Sequence, residues 1–194
     1  MAHALRFEDP ARQSQAVFRA VMTAMSRPGR IEKVAPMNVR GPLPGCMSQL
    51  ALALCDFETP VWLDGGLSRR EGAAQWFRFQ TGAPIVDSPA GAAFAFIDDP
   101  LSAPKLEEFS IGSNEYPDRS TTIVMSVDRL EAEGPYSLLG PGVNGFAGFE
   151  VGPLGKDFLR EREALRALFP RGVDLIFVCG DRIAALPRTT ILEG

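Results

Sequence analysis

The sequence predicts a three-layer α/β/α domain built on a mixed sheet, and three observations carry that expectation. Helix-like and strand-like stretches alternate from one end of the chain to the other, the pattern of α/β architecture. Residues 174–190 read as two apolar strands that meet at Gly180-Asp181, so at least one antiparallel pair joins the sheet. No internal repeat, low-complexity tract or linker interrupts the 194 residues, and a single domain spanning 1–194 is expected.

In chain order, Asp9 followed by Pro10 has the form of an N-cap and first-turn proline. Val17, Phe18, Val21, Met22 and Met25 then recur at helical spacing, so a first helix ends before Pro28-Gly29. A second helix is expected over 46–54, after the link Gly41-Pro42-Leu43-Pro44-Gly45. Val61-Trp62-Leu63 reads as a short buried strand. Ser68-Arg69-Arg70-Glu71 has the capping-box form and predicts a helix opening there, carrying Trp76 and Phe77 until Gly82 and Pro84 break it. Residues 92–97 and 121–127 are short, β-prone runs that read as buried strands, with a short helix over 105–109 between them. Residues 136–139 and 146–151 are two further strand candidates around Gly140-Pro141-Gly142. Residues 157–168 read as an amphipathic helix, with Phe158, Leu165 and Leu168 inward and Arg160, Glu161, Arg162, Glu163 and Arg166 toward water. In the final hairpin Gly180 and Asp181 suit a primed turn, since glycine accepts positive φ and aspartate tolerates it better than most residues.

Composition narrows the function classes. An apolar fraction of 45% with mixed charges describes a soluble globular domain, and a net charge of −4 argues against general attraction to nucleic acid. The first residues lack the apolar run of a signal peptide. No later run approaches the roughly 20 apolar residues needed to cross a bilayer, so no membrane role and a cytoplasmic location are expected. Cys46, Cys55 and Cys179 are widely spaced in apolar surroundings and read as reduced core thiols.

The chemistry that is missing is informative. His3 is the only histidine, so neither a histidine-based triad nor a histidine-rich metal centre can be assembled within one chain. No C-x-x-C spacing is present, and no bound metal is expected. A pyridoxal-phosphate enzyme needs a Schiff-base lysine, but Lys33, Lys105 and Lys156 all stand in turn or surface contexts, so no cofactor is expected. No glycine loop ends in Gly-Lys-Ser or Gly-Lys-Thr. The acidic pairs Asp98-Asp99 and Glu107-Glu108 read as solvated faces, and no catalytic residue is assigned.

Two loops combine arginine with hydroxyls. Ser26-Arg27-Pro28-Gly29-Arg30 is either an anion loop, with Ser26, Arg27 and Gly29 around a bidentate contact, or a helix stop with exposed arginines. Arg188-Thr189-Thr190 is either an anion site at a sheet rim or a capped strand end. Tyr116 and Arg119, in Asn114-Glu115-Tyr116-Pro117-Asp118-Arg119-Ser120, are either turn residues or anchors of a protein interface. Gly140-Pro141-Gly142 reads as a tight connection or a place of close backbone approach.

Several of these stretches, taken in order, resemble one family. They are Ala24-Met25-Ser26-Arg27-Pro28-Gly29, Thr59-Pro60-Val61-Trp62-Leu63, Thr81-Gly82-Ala83-Pro84, Glu115-Tyr116-Pro117-Asp118-Arg119-Ser120, Leu139-Gly140-Pro141-Gly142, Phe169-Pro170-Arg171-Gly172-Val173-Asp174 and Leu186-Pro187-Arg188-Thr189-Thr190. Their order resembles the PhnH family, subunits of the bacterial carbon–phosphorus lyase core complex that breaks down phosphonates. The resemblance implies a fold like the large domain of the fold-type I pyridoxal-phosphate transferases, without the cofactor. It implies an accessory part in a transferase assembly that joins a phosphonate to the ribose of ATP with loss of adenine, giving a ribose 1-phosphonate 5-triphosphate. The implied partners are the other core subunits, an ATP-binding-cassette-type protein and, for the isolated chain, a second copy. Gly112-Ser113-Asn114 departs from the Gly-Thr that the family often carries there. The alternative, drawn from the arginine loops, is a freestanding enzyme or binding protein for a phosphorylated small molecule held between Arg27 and Arg188.

Overall fold

A computed structural model describes residues 10–35 and 41–194, so Asp9 and His3 lie outside the described residues. The described chain folds as an α/β structure. A first helix, α1 (Pro10–Ser26), leads through a short strand β1 (Glu32–Lys33) to α2 (Gly45–Leu54) and β2 (Val61–Leu63). Two short helices follow, α3 (Gly65–Arg69) and α4 (Ala73–Thr81), and then β3 (Phe94–Ile97), β4 (Thr122–Ser126), β5 (Arg129–Leu139) and β6 (Ala147–Gly152). Helix α5 (Phe158–Arg166) precedes β7 (Asp174–Cys179), β8 (Arg182–Leu186) and β9 (Ile191–Glu193).

The main sheet has six strands in the order β1-β8-β7-β4-β3-β2. Its pairings β2–β3, β3–β4 and β4–β7 are parallel, while β7–β8 and β8–β1 are antiparallel, which makes it the mixed sheet the hairpin required. Successive side chains along a strand face opposite sides. Thus Ile176 and Val178 join Val124, Phe96 and Ile183 in a core beneath α1, α2 and α4, and Leu175 and Phe177 join Ile123, Met125 and Leu186 in a core on the other face. Burial on both faces explains why these strands read as unbroken apolar runs.

The two faces are covered differently. One carries α1, α2 and α4. The other carries α5 together with an antiparallel three-stranded sheet, β6-β5-β9, which contributes Leu130, Leu138, Phe149 and Val151. Sequence patterning located parts of β5 and β6 but not their separation into a second sheet. Strand β5 is longer than expected, with an irregular register between Glu131 and Tyr136.

Two local expectations need correction. Ser68-Arg69-Arg70-Glu71 does not open the helix of Trp76 and Phe77. Ser68 and Arg69 close α3, which is capped by the buried Asp64: its carboxylate accepts from the N–H groups of Leu67 (2.7 Å), Asp98 (2.8 Å) and Asp99 (3.1 Å). Helix α4 starts afresh after Gly72, at φ +76°, a left-handed position that suits glycine. Second, Arg162 is buried rather than solvated, and Leu168 lies beyond the end of α5 and is exposed. The hairpin turn is of the primed kind expected, with Gly180 at φ +61° while Asp181 keeps a negative φ. Only glycine takes the left-handed conformation, the φ pattern of a type II′ turn.

Candidate functional site

Arg188 lies just past β8, where the hairpin register sets Leu186 opposite Leu175 and so brings Arg188 beside Asp174. Its backbone N–H donates to Asp174 Oδ1 at 2.7 Å. Its guanidinium forks onto the same carboxylate through Nε (3.2 Å) and Nη2 (2.5 Å). Nη2 also donates to the buried Ser120 Oγ (2.5 Å), and Nη1 donates to the carbonyls of Pro117 and Pro170. All five guanidinium N–H groups therefore have protein acceptors. The pair is mostly buried, with side-chain exposures of 16% for Arg188 and 19% for Asp174. Arg188 thus clamps the start of β7 to the loop 112–120.

That loop is braced from several sides. Gly112 sits at φ +72°, and a Cβ there would stand 2.8 Å from the Pro117 carbonyl oxygen, so the chain folds back tightly on itself. Ser113 Oγ accepts from Tyr116 N–H at 3.0 Å, and Ser110 Oγ donates to the Arg119 carbonyl at 2.8 Å. The departure at Ser113 therefore has a structural part. On this braced frame Tyr116 and Arg119 project to the surface, the guanidinium carbon 4.1 Å from the ring centroid.

Ser26 and Arg27 follow α1 and are exposed; Ser26 Oγ donates to the Thr23 carbonyl. The Arg27 side chain has no hydrogen-bond or ion-pair partner among the described residues. Gly29, at φ +86°, is buried against Leu138 and Ala147. Thr189 is exposed, whereas Thr190 is buried and its hydroxyl lacks a protein partner.

The turn after β5 joins these places. A Cβ at Gly142 would lie 2.2 Å from the Ser26 carbonyl oxygen, and one at Gly140 would lie 2.9 Å from the Thr189 carbonyl oxygen. Three stretches far apart in sequence, around Ser26, Gly140 and Thr189, therefore meet, with the Gly140-Pro141-Gly142 turn wedged between the other two. The close-approach reading of that turn is what the geometry contains. Arg27 and Arg188 flank the junction in different ways, since the Arg188 guanidinium is directed inward to Asp174 and Ser120.

Arg162 was missed by reading its charge as a water-facing property. Its Nη1 donates to Val173 O (3.1 Å), and its Nη2 donates to Pro187 O (2.8 Å) and Thr190 O (3.1 Å). Burial pushes its guanidinium down to about 10, with Asp174 opposing the shift and Arg188 adding to it. The signal that could have found it is position: Phe158, Arg162 and Leu165 share one helical stripe.

Elsewhere, Cys46 and Cys55 are buried free thiols, both pushed up to about 12 chiefly by burial; Cys179 is free and half-buried. A cleft of about 480 Å³ opens between α5 and residues 105–111, lined by Ile111, Ala164, Leu165 and Leu168 with Lys105 and Arg160 among its charged residues. None of the sequence-predicted site residues lines it. Among the described residues no helix is long and apolar enough to cross a membrane, and no three His, Cys, Asp or Glu residues cluster as metal ligands. The acidic pairs serve local structure, with Asp98 on Arg70 at 2.6 Å and Glu108 accepting from Lys105 N–H at 2.9 Å.

Comparison with known proteins gives this geometry its context. The chain is 40% identical over 190 residues to the alpha-D-ribose 1-methylphosphonate 5-triphosphate synthase subunit PhnH of Rhizobium meliloti (strain 1021), covering 96% of this chain and 94% of that protein. It is 32% identical over 185 residues to the putative C-P lyase subunit protein HtxG of Stutzerimonas stutzeri, covering 93% and 86%. The model of the family described as bacterial phosphonate metabolism protein (PhnH) matches residues 5–193, and with that span the chain belongs to the PhnH family.

Proposed function

We propose that this chain is an accessory subunit of the carbon–phosphorus lyase system, acting in an assembly that joins a phosphonate to the ribose of ATP with loss of adenine. The observation that carries the reading is the match, over nearly the full length of both chains, to a relative named as a subunit of alpha-D-ribose 1-methylphosphonate 5-triphosphate synthase. On this reading the chain is one cytoplasmic domain over residues 1–194 with the fold of a pyridoxal-phosphate transferase large domain, without that cofactor or a metal. It pairs with a second copy when alone and with other core subunits in the assembly, and it engages neither nucleic acid nor membrane.

The site residues divide by what surrounds them. Tyr116 and Arg119, stacked and exposed on a braced loop, are the interface anchors, a residue pair favoured at protein contacts. Ser26, Arg27 and Thr189 form the exposed rim of the loop junction, with Gly29 buried beneath it, and offer a cation to a partner or an anion. A freestanding enzyme that grips a phosphorylated ligand between Arg27 and Arg188 is the weaker reading, because Arg188 would first have to release Asp174 and Ser120. Catalysis is assigned to partner subunits.

Co-expression of a tagged copy with the other core subunits, followed by size-exclusion chromatography and mass spectrometry, tests this. A stoichiometric assembly that contains the chain is expected. A chain that elutes alone, or that transfers phosphonate unaided, overturns the accessory reading.

A further inference from the structure

Phe18 and Met22 stand one turn apart on α1 and are each half exposed, while Val17, Ala20, Val21 and Ala24 on the opposite side of the helix are buried in the core. Arg19 lies beside them on the outer face and has no partner among the described residues. Four arginines and no carboxylate occur between Pro10 and Arg30, in a chain whose net charge is −4. The first carboxylate that follows, Glu32, pairs with Arg30. The outer face of α1 is therefore apolar and flanked by positive charge.

A second patch on the same helical layer has the opposite sign. Phe57 and Phe79 are 73% and 72% exposed. Gly82 caps α4 three residues beyond Phe79, and a Cβ there would lie 3.4 Å from the Phe57 Cβ, so both phenylalanines rise at the same end of α4. Phe57 is carried on a braced turn, in which Asp56 Oδ1 accepts from Glu58 N–H (2.9 Å) and from the Thr59 hydroxyl (2.7 Å). A rigid turn loses little entropy when a partner covers its aromatic residue. Asp56 and Glu58 flank Phe57, both exposed and without an ion pair among the described residues, and the one exposed cation of α4, Arg78, leaves the patch net negative.

The two patches lie on either side of α2. Helix α1 packs along β8 and β1 at one edge of the main sheet. Helix α4 sets Phe77 on Phe96 of β3, ring centroids 5.0 Å apart, near the other edge, and α2 touches both helices. Both patches face away from the sheet, because the buried residues of α1 and α4 point toward it. Two copies related by a two-fold axis over α2 set the α1 patch of each on the phenylalanine patch of the other, a closed contact. Pairing like patches would instead oppose arginine to arginine or carboxylate to carboxylate.

We propose that two copies of this chain pair through the helical layer, with Phe18, Met22 and Arg19 of one copy against Phe57, Phe79 and Glu58 of the other. A second copy is the occupant because one chain carries both halves of the contact, in sign and in apolar character, and phenylalanine, methionine and arginine are residues that interfaces favour. This surface rests on the pairing of isolated chains proposed above, and the accessory role in the assembly does not depend on it.

Sedimentation velocity of the full chain over a range of concentrations tests the surface. The variants are Arg19→Glu and Glu58→Arg, with Arg160→Glu on α5, across the sheet, as the control; circular dichroism verifies that each folds. The parent chain and Arg160→Glu are expected to dimerise with one dissociation constant, which rises with salt, and Arg19→Glu and Glu58→Arg each to raise it about tenfold or more. An equal mixture of those two variants is expected to return to within about threefold of the parent value, since every contact then joins opposite charges again. A parent chain that stays monomeric overturns the surface and the pairing of isolated chains together. A dimer that neither variant weakens, or a mixture no tighter than the variants alone, overturns the surface and leaves the pairing standing.

Discussion

Arg27 and Arg188 occupy similar sequence settings, each next to a proline and within two residues of a hydroxyl, yet the fold treats them in opposite ways. Arg188 is mostly buried and gives every guanidinium N–H to a protein acceptor, while Arg27 is exposed and without a partner among the described residues. The difference comes from the chain opposite. The register of β7 and β8 delivers a carboxylate, Asp174, to Arg188, whereas the turn beside Arg27 delivers the backbone of Gly142 against Ser26. An arginine motif therefore takes its role from what the fold sets against it.

The largest expected effect is one that neither arginine causes, and it isolates their contribution. The Cys46 and Cys55 thiols have an ordinary value of 9.0 and are pushed up to about 12 in the fold. Between those values the folded state holds protons that the unfolded state releases, so their contribution is whole below pH 9 and is lost as the pH rises toward 12. Arg162, pushed down to about 10, works in the opposite direction above that pH, and one group does not offset two. Urea midpoints should fall steeply between pH 9 and 12, and the Cys46→Ala/Cys55→Ala double variant should flatten that fall. An equally steep fall in the double variant would reject the thiols as its cause.

Arg188→Ala should come next, at about 3 kcal/mol in urea unfolding at neutral pH, because it leaves Asp174 without its counter-charge in a mostly buried setting. A loss below about 0.5 kcal/mol, the ordinary range for surface substitutions, would put Arg188 in the same class as Arg27. Gly142→Ala should cost about 2 kcal/mol or more, since φ is +84° and the new methyl would meet the Ser26 carbonyl. Chemical shifts of Ser26, Arg27 and Gly29 should move with it if the turn holds that loop in place. Arg119→Ala, which removes an exposed cation–π contact, should cost about 0.5 kcal/mol while reducing recovery of partner subunits. Arg27→Ala should change stability least, by under about 0.5 kcal/mol, and any loss it causes should appear in partner or anion binding.

Much of the backbone was legible because its signals are local. Gly180 fixed the hairpin, Pro28-Gly29 the end of α1, and short, β-prone apolar runs the strands β2, β3, β4, β7 and β8 of the main sheet. The clamp could have been found by counting outward from Gly180-Asp181, which sets Asp174 near Arg188 across the hairpin. Arg162 was misread because residue type outweighed position on the helical stripe. The pairing of β9 with β5 had no local sign, since it joins Leu138 to Leu192 across more than fifty residues. The meeting of Ser26, Gly140 and Thr189 was likewise hidden. It depends on two glycines whose lack of a side chain matters only once the loops are brought together.

The most direct test of the contrast between the two arginines is a double-mutant cycle of Arg188→Ala and Asp174→Ala in urea unfolding, run beside the single Arg27→Ala variant. The account predicts a coupling between Arg188 and Asp174 of about 2 kcal/mol or more, with Arg27→Ala unfolding at the parent midpoint. Additive losses at Arg188 and Asp174, or a loss at Arg27 as large as that at Arg188, would contradict it.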